Sequence, residues 1–150
     1  MLKVGDRVGA FEAESSTGRP IKLDELSGRA FVAFFFPKSF TPGCTLETRN
    51  FAGAYPEFQE LGVEVVGISA DTTSTQCSFA DTMGASFPMV GDKSGDVARA
   101  FEMRKGLMPM YKRVTFVIDE QGVVERVFKV GFGIHSHAKE VLDYMRARTA

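Results

Sequence analysis

The sequence predicts an α/β fold in which a mixed central sheet is flanked by helices. Two nearly continuous apolar runs, 29–36 and 63–69, have the composition of strands that are buried on both faces. Strand-like and helix-like segments alternate along the chain, which is the pattern of α/β domains. The final segment predicts a helix with one apolar face, because its apolar residues recur at helical spacing. These residues are Ala138, Val141, Leu142 and Met145.

Length and composition limit the protein to a few classes. The 150 residues are enough for one domain, 1–150, and 44% hydrophobic with 25% charged residues is an ordinary globular balance. The formal net charge of -1 provides no basic excess for nucleic acid or an anionic membrane. The longest apolar run, 30–37, is far below the roughly 20 residues that span a bilayer, and the polar N-terminus does not resemble a signal peptide. We therefore expect a soluble, cytoplasmic protein.

The first part of the chain is predicted to lead into the central strand. A short strand at 11–16 and a turn at 17–20 precede one helical turn, for which Asp24 is the expected cap. The apolar run 29–36 is the central strand, and Pro37 ends it. The loop after Pro37 therefore leaves the end of a buried strand.

A helix in two parts is predicted after a polar loop at 38–43. Its first residue is Cys44 or Thr45, and Gly53 is expected to interrupt it. Pro56 suits the first position of a resumed helix, because the amide hydrogen that it lacks would have no helical partner there.

The rest of the chain is predicted to alternate in the same way. In order, the segments are a strand at 63–69, a helix from Asp71 or Thr72 to about Gly84, a strand at 87–90, a helix from Asp92 or Ser94 to about Met103, and strands at 114–118 and 123–130 joined by a turn at 119–122.

The two cysteines, Cys44 and Cys77, indicate a redox or catalytic role more than a disulfide framework. Cys44 lies where a loop enters a helix, and there unpaired backbone N–H groups and the helix dipole stabilise a thiolate. Gly43 and Cys44 supply amide donors, and Gly43 lets a small substrate approach the backbone. The alternative is a buried cysteine that packs as a small apolar residue.

Two separated motifs resemble those of the peroxiredoxins. Pro37-x-x-x-Thr41-x-x-Cys44 is similar to their signature, and Arg113 is similar to their distal arginine. The fuller string at 36–47 resembles the PrxQ group, also called bacterioferritin comigratory proteins. The likeness covers nearly the whole chain, including 4–6, 66–69 and 87–92.

This resemblance implies a thioredoxin-like fold and a hydroperoxide substrate. Cys44 would be the peroxidatic cysteine, whose thiolate attacks a peroxide oxygen and becomes a sulfenic acid. Thr41 would hold the thiolate and the peroxide through its hydroxyl, and Arg113 would stabilise the charge that develops on the oxygens. Pro37 would shield the pocket from water and stray reductants.

Other residues of the motif have two interpretations each. Glu47 matches the acid of the group and would orient Arg113, but an acid in a first helical turn is also a routine partner of the helix dipole. Three apolar residues either line the mouth of a substrate pocket or pack in the core: Phe36, Phe40 and Met110.

The resemblance also implies a resolving cysteine, and Cys77 is the candidate. Many members of the group carry it five residues after the peroxidatic cysteine, where this chain has Arg49. Others place it on a later helix, as Cys77 would be. Helical projection buries Phe79, Ala80 and Met83 and leaves Cys77 on the polar flank of that helix. The alternatives are a one-cysteine enzyme reduced by an external thiol, and a Cys77 without a redox role.

Partners follow from the same resemblance. It implies a thioredoxin-type dithiol reductant and a monomer, and the sequence predicts no cofactor and no metal site. His135 and His137 are interpreted as surface residues at the start of the last helix.

Two competing functions are less consistent with the motifs. A disulfide oxidoreductase would need a Cys-x-x-Cys pair, but Thr41 and Glu47 occupy the positions three before and three after Cys44. A non-enzymatic binding module would not need Thr41, Cys44 and Arg113 together.

Overall fold

The computed structural model describes residues 1–103, 110–130 and 133–149. The strands are β1 Glu12–Ala13, β2 Ile21–Lys22, β3 Phe31–Phe35, β4 Glu64–Ser69, β5 Met89–Gly91, β6 Val114–Ile118 and β7 Val124–Lys129. The helices are α1 Leu23–Leu26, α2 Pro42–Glu60, α3 Thr73–Met83, α4 Asp96–Ala100 and α5 Ile134–Thr149.

Five strands form one mixed sheet in the order β5-β4-β3-β6-β7. β3, β4 and β5 run parallel to one another, whereas β6 is antiparallel to both β3 and β7. β1 and β2 form a separate antiparallel pair. The predicted mixed sheet is confirmed, and β3 is its central strand.

Both faces of the sheet are covered, as the apolar run of β3 predicted. All five of its residues are buried, and they alternate between two hydrophobic clusters. α2, α3 and α5 cover one face, where Phe34 of β3 stacks on Phe51 of α2 with ring centroids 4.4 Å apart. α4, α1 and the N-terminal segment cover the other face. No helix in the described ranges is long and apolar enough to cross a membrane.

The prediction that α2 is broken into two parts is wrong. It begins at Pro42, two or three residues earlier than expected, and continues through Gly53 and Pro56 to Glu60. Proline within a helix costs about 3 kcal/mol, so packing must offset that cost. Three aromatic side chains on the buried face of α2 supply this packing: Phe51, Tyr55 and Phe58.

The start of α4 also differs from the prediction, because a side chain that precedes the helix caps it. α4 begins at Asp96 because the carboxylate of Asp92 accepts hydrogen bonds from the amides of Val97 and Ala98, at 3.0 and 2.9 Å. The helix ends at Ala100, before the predicted position. By contrast, α3 has Thr72 as its N-cap, one of the two residues predicted.

Three smaller corrections concern short elements. α1 is preceded by Lys22, so Asp24 lies within its first turn instead of capping it. β1 has only two of the six residues predicted for that strand, because pairing with the two-residue β2 limits its length. β5 begins at Met89, since its pairing with β4 starts at Gly67 opposite that residue.

Candidate active site

Cys44 is the third residue of α2, just after the chain has left the end of β3. Its side chain is 0% exposed and packs among the apolar residues between the sheet and α2. The first turn of a helix presents backbone N–H groups without helical partners, and these favour a negative charge nearby. The position therefore suits a thiolate.

Arg113 reaches Cys44 from the neighbouring strand. It immediately precedes β6, whose first residue Val114 pairs with Phe35 at the end of β3. This pairing brings the arginine to the start of α2. Its Nη2 donates to Cys44 Sγ at 3.3 Å, and its Nη1 donates to Glu47 Oε1 at 2.6 Å. One guanidinium thus bridges the cysteine and the carboxylate.

Glu47 lies three residues beyond Cys44, so the two side chains are neighbours on α2. It is 0% exposed, and its Oε2 has no hydrogen-bond partner among the described residues. Burial raises the pKa of Glu47 to about 7, although the charge and hydrogen bond of Arg113 act to lower it. Burial also opposes the charge of Arg113, but Glu47 and Cys44 together raise its pKa. One permanent cation therefore serves two groups that can each become negative.

His137 is not a surface residue, and that prediction is wrong. It is 2% exposed, and its Nε2 lies 2.7 Å from Thr115 Oγ1 and 3.9 Å from Glu47 Oε2. Burial lowers the pKa of His137 to about 4, against a smaller opposite effect of Glu140. The spacing of His137 four residues before Val141, on the apolar face of α5, is the signal that could have located it. His135 is exposed, as predicted.

We call the five side chains that meet here the arginine cluster. They come from α2, from the residue just before β6, from β6 itself and from α5. Their members are Cys44, Glu47, Arg113, Thr115 and His137.

Gly43 lies in close contact with the side chains of Arg113 and Ile134. A methyl group there would lie 3.1 Å from Arg113 Nη2 and 3.4 Å from Ile134 Cδ1 of α5. A side chain at residue 43 would therefore displace the Arg113 guanidinium by a few tenths of an ångström.

Thr41 and Pro37 lie in the loop that precedes α2, and both are half-buried. Thr41 is the N-cap residue of α2, but its hydroxyl donates to the carbonyl of Lys38 at 2.7 Å. The hydroxyl proton is thus used within the loop, and only the oxygen lone pairs of Thr41 are free to accept a further hydrogen bond. The roles predicted for both residues stay predictions.

Of the three apolar candidates for the pocket mouth, Phe40 is the exposed one. Its side chain is 51% exposed, and its ring lies 5.0 Å from that of Phe79 on α3. Phe36 is fully buried and packs in the core, in agreement with the simpler of its two interpretations. Met110 is half-buried.

Cys77 lies on α3, the helix beside the Cys44 loop, and is half-buried. Phe79, Ala80 and Met83 are buried on that helix, as the helical projection predicted, and Gln76 is buried beside them. Both cysteines carry free thiols. Within the described part of the chain, no group of three or more His, Cys, Asp and Glu side chains could hold a metal ion.

Comparison with known proteins assigns the family. The sequence model of the AhpC/TSA family matches residues 4–127. The chain belongs to this family. It is 31% identical over 138 residues to chloroplastic peroxiredoxin Q of Sedum lineare, a match that covers 91% of this chain and 74% of the plant protein.

Solved structures show the same relationship. The crystal structure of peroxidoxin BcpB from Mycobacterium tuberculosis has a TM-score of 0.88 and 37% identity, over 98% of both chains. The bacterioferritin comigratory protein of Xanthomonas campestris, from a study of its alkyl peroxide reduction, has a TM-score of 0.84 and 29% identity, over 93% of this chain and 92% of that one. The predicted thioredoxin-like fold and peroxiredoxin membership are confirmed. This AhpC/TSA member is a thiol-dependent peroxidase.

Proposed function

We propose that Cys44 is the peroxidatic cysteine of this peroxidase. The observation that carries the proposal is the single guanidinium of Arg113, which donates to both Cys44 Sγ and Glu47 Oε1. A fixed cation within hydrogen-bond distance of the sulfur stabilises the thiolate before the reaction. It also stabilises the charge that moves from sulfur to oxygen as the peroxide reacts.

The reaction balances with the groups at this site. The thiolate of Cys44 attacks one oxygen of the hydroperoxide, so that an S–O bond forms as the O–O bond breaks. The released hydroxide or alkoxide takes a proton from solvent, equal to the one that the Cys44 thiol gave up on ionising, and leaves as water or alcohol. Cys44 is oxidised by two electrons to a sulfenic acid, and the peroxide is reduced by two electrons. Gly43 keeps the backbone beside the sulfur open to Arg113, and Thr41 contributes an acceptor at the same end of α2.

Both hydrogen peroxide and organic hydroperoxides are proposed as substrates. The alkyl peroxide reduction studied for the Xanthomonas protein supports the organic substrates. The exposed ring of Phe40, four residues before Cys44, provides an apolar surface for an alkyl group.

Resolution by Cys77 is the second part of the proposal. Its half-buried position on the adjacent α3 supports it. A disulfide needs α-carbons within about 7 Å, so we expect the first turn of α2 to unwind when the bond forms. The alternative is reduction of the sulfenic acid by an external thiol. In the Cys77 route, a thioredoxin-type dithiol would restore the two thiols, and we expect the enzyme to act as a cytoplasmic monomer.

Stopped-flow reaction of the reduced protein with hydrogen peroxide tests these steps. We expect Cys44→Ser to lose the fast reaction and Cys77→Ser to keep it. Wild type that reacts no faster than free cysteine would disprove the role of Cys44. Mass spectrometry of the products then tests resolution. An intramolecular disulfide in wild type and an accumulated sulfenic acid in Cys77→Ser would support Cys77, whereas the same product in both would exclude it.

A further inference from the structure

Ser39 is a buried residue in an otherwise exposed part of the loop that precedes α2. Its neighbours Lys38 and Phe40 are exposed, whereas Ser39 is 4% exposed. Two residues further on is Thr41, the N-cap of the helix that carries Cys44. The contacts of Ser39 therefore hold the loop that leads into that helix.

Four hydrogen bonds connect Ser39 into a closed ring with three other residues. Its hydroxyl contacts Gln76 Oε1 at 2.7 Å, and Gln76 Nε2 donates to Ser69 Oγ at 3.2 Å. Ser69 Oγ donates to Asp71 Oδ2 at 2.6 Å, and the same carboxylate oxygen accepts from the amide of Ser39 at 2.8 Å. We call Ser39, Gln76, Ser69 and Asp71 the serine ring.

The direction of every bond in the serine ring is determined. Gln76 Nε2 also lies 2.9 Å from the carbonyl of Val90, which can only accept, so the amide nitrogen must face Val90. The carbonyl of Gln76 then faces Ser39, whose hydroxyl must donate to it. Gln76 is 0% exposed, and its side-chain carbonyl and both of its side-chain amide hydrogens are used. Because each hydrogen bond of the serine ring has only one possible direction, the four residues are fixed in a single arrangement.

The ring joins the loop to the helix that carries Cys77. Gln76 precedes Cys77 on α3, and Ser69 is the last residue of β4. An aromatic contact adds to this attachment, since the ring of Phe40 packs against Phe79 of α3. Phe40 has a φ of 66°, a left-handed conformation that costs a bulky residue about 1–2 kcal/mol and so needs neighbours to maintain it.

This attachment matters because Cys44 is fully buried. A peroxide is small enough to approach the sulfur at the end of α2, whereas a thiol on another helix or on another protein is not. The oxidised sulfur must therefore leave its position before a thiol of a protein, or an aromatic thiol much bulkier than hydrogen peroxide, can reach it. Such a movement displaces the loop that Ser39 attaches to α3 by a hydrogen bond.

We propose that Ser39 and Gln76 are positioning residues that restrain this loop and thereby set how fast oxidised Cys44 becomes accessible to a thiol. While Cys44 stays in place, a second hydroperoxide can oxidise the sulfenic acid to a sulfinic acid and is itself reduced to water or alcohol. The serine ring therefore sets the share of enzyme lost by over-oxidation. The inference rests on Cys44 as the peroxidatic cysteine and does not require Cys77 to be the resolving one.

The test uses the Cys77→Ser protein, so that only an added thiol can reduce the sulfenic acid. Ser39→Ala and Gln76→Leu are introduced separately into it. Ser78→Ala is the matched control, because Ser78 is an exposed residue of α3 outside the serine ring. The sulfenic acid is formed with one equivalent of hydrogen peroxide, and its reaction with 2-nitro-5-thiobenzoate is followed by absorbance.

We expect Ser39→Ala to react with the thiol about tenfold faster than its parent, the effect of one lost buried hydrogen bond on the opening equilibrium. Gln76→Leu loses three such bonds and should react at least as fast. At a fixed excess of peroxide and thiol, the sulfinic acid measured by intact mass should fall accordingly. Hydrogen exchange of the amides in 38–47 should accelerate, which separates loop opening from global unfolding. Ser39→Thr, which keeps the hydroxyl, should restore the parent values for the thiol reaction.

Thiol reaction and exchange equal to those of the Ser78→Ala control would overturn the proposal. Faster exchange throughout the chain, beyond 38–47, would also overturn it, since the ring would then stabilise the whole fold. A parent protein that forms no sulfenic acid at Cys44 would instead disprove the proposed function. In that case the exchange rates alone still decide whether the ring restrains the loop.

Discussion

The arginine cluster and the serine ring are both buried and polar, but they are built in opposite ways. The cluster concentrates ionisable groups and leaves one oxygen of Glu47 without a hydrogen-bond partner. The ring consists mostly of neutral groups, and each of its side-chain protons has an acceptor. A buried polar atom without a hydrogen-bond partner is costly, whereas a fully satisfied network is rigid. The first arrangement suits chemistry at Cys44, and the second suits the placement of the loop.

Loss of Arg113 is expected to have the largest effect. Arg113→Ala should slow the reaction with hydrogen peroxide by about 10²–10³-fold, because it removes the donor to Cys44 Sγ. It should also lower the free energy of unfolding by about 1–3 kcal/mol, since the buried Glu47 Oε1 would lose its hydrogen-bond donor. Stopped-flow kinetics and urea unfolding measure the two effects. Arg113→Lys should recover part of the stability but less of the rate, because one ammonium cannot present a planar fork to both groups.

A variant of the serine ring should differ from Arg113→Ala in the rate of the peroxide reaction. Ser39→Ala should leave the peroxide reaction within a few-fold of wild type, because no ring member touches the sulfur. If Ser39→Ala slowed that reaction as much as Arg113→Ala, the division between chemistry and placement would be wrong.

The next largest expected difference between the arginine cluster and the serine ring is in how the free energy of unfolding depends on pH. His137 has its pKa lowered to about 4 in the folded protein, from an ordinary value of 6.5. The unfolded chain then binds more protons between these values, so the free energy of unfolding should fall as the pH drops from 6.5 towards 4. A shift of this size corresponds to at most about 3 kcal/mol. Urea unfolding of His137→Gln, whose amide can still bond Thr115, should show a flatter acid limb.

Glu47 should have the opposite effect on the pH dependence of the free energy of unfolding. Its pKa is raised from 4.5 to about 7, so the folded protein binds the extra proton. That contribution is fully present below pH 4.5 and is lost as the pH rises through 7. Glu47→Gln should therefore remove a decline in stability between pH 4.5 and 7 and steepen the rise that His137 causes. Ser39→Ala should keep the wild-type slope, because a hydroxyl does not titrate in this range. An unchanged acid limb in His137→Gln would show that the histidine is not held neutral.

The smallest effects concern two glycines. A methyl group at Gly91 would lie 2.4 Å from the carbonyl oxygen of Thr72, so Gly91→Ala should push the start of α3 away from β5 and cost about 1–3 kcal/mol. Nothing lies within 4 Å of such a group at Gly53, and Gly53→Ala should stabilise α2 by about 0.5–1 kcal/mol. Thermal unfolding measures both changes. A destabilised Gly53→Ala would contradict a continuous α2.

The site residues that could be predicted from the sequence are those in a segment with a recognisable chemical pattern. Cys44 could be predicted from its loop and helix start, and the resemblance added Arg113, now seen at 3.3 Å from the sulfur. Glu47 had two interpretations, because sequence spacing alone does not reveal a partner 66 residues away. His137 was misplaced, although its spacing to Val141 put it on the buried face of α5. The break predicted in α2 was wrong because the packing of its long buried face outweighs the low helix propensity of Gly53 and Pro56.

By itself, the sequence determined the α/β class, the central strand, the peroxiredoxin motifs and the candidate cysteine Cys44, since these depend on local apolar patterns and on residue types close in the chain. Only the tertiary structure decided which groups meet. β6 beside β3 brings Arg113 to Cys44, and α5 brings His137 to Glu47. The serine ring joins the loop before α2, the end of β4, the segment after it and α3. Its members are common polar residues, and their relation exists only once the strands are paired.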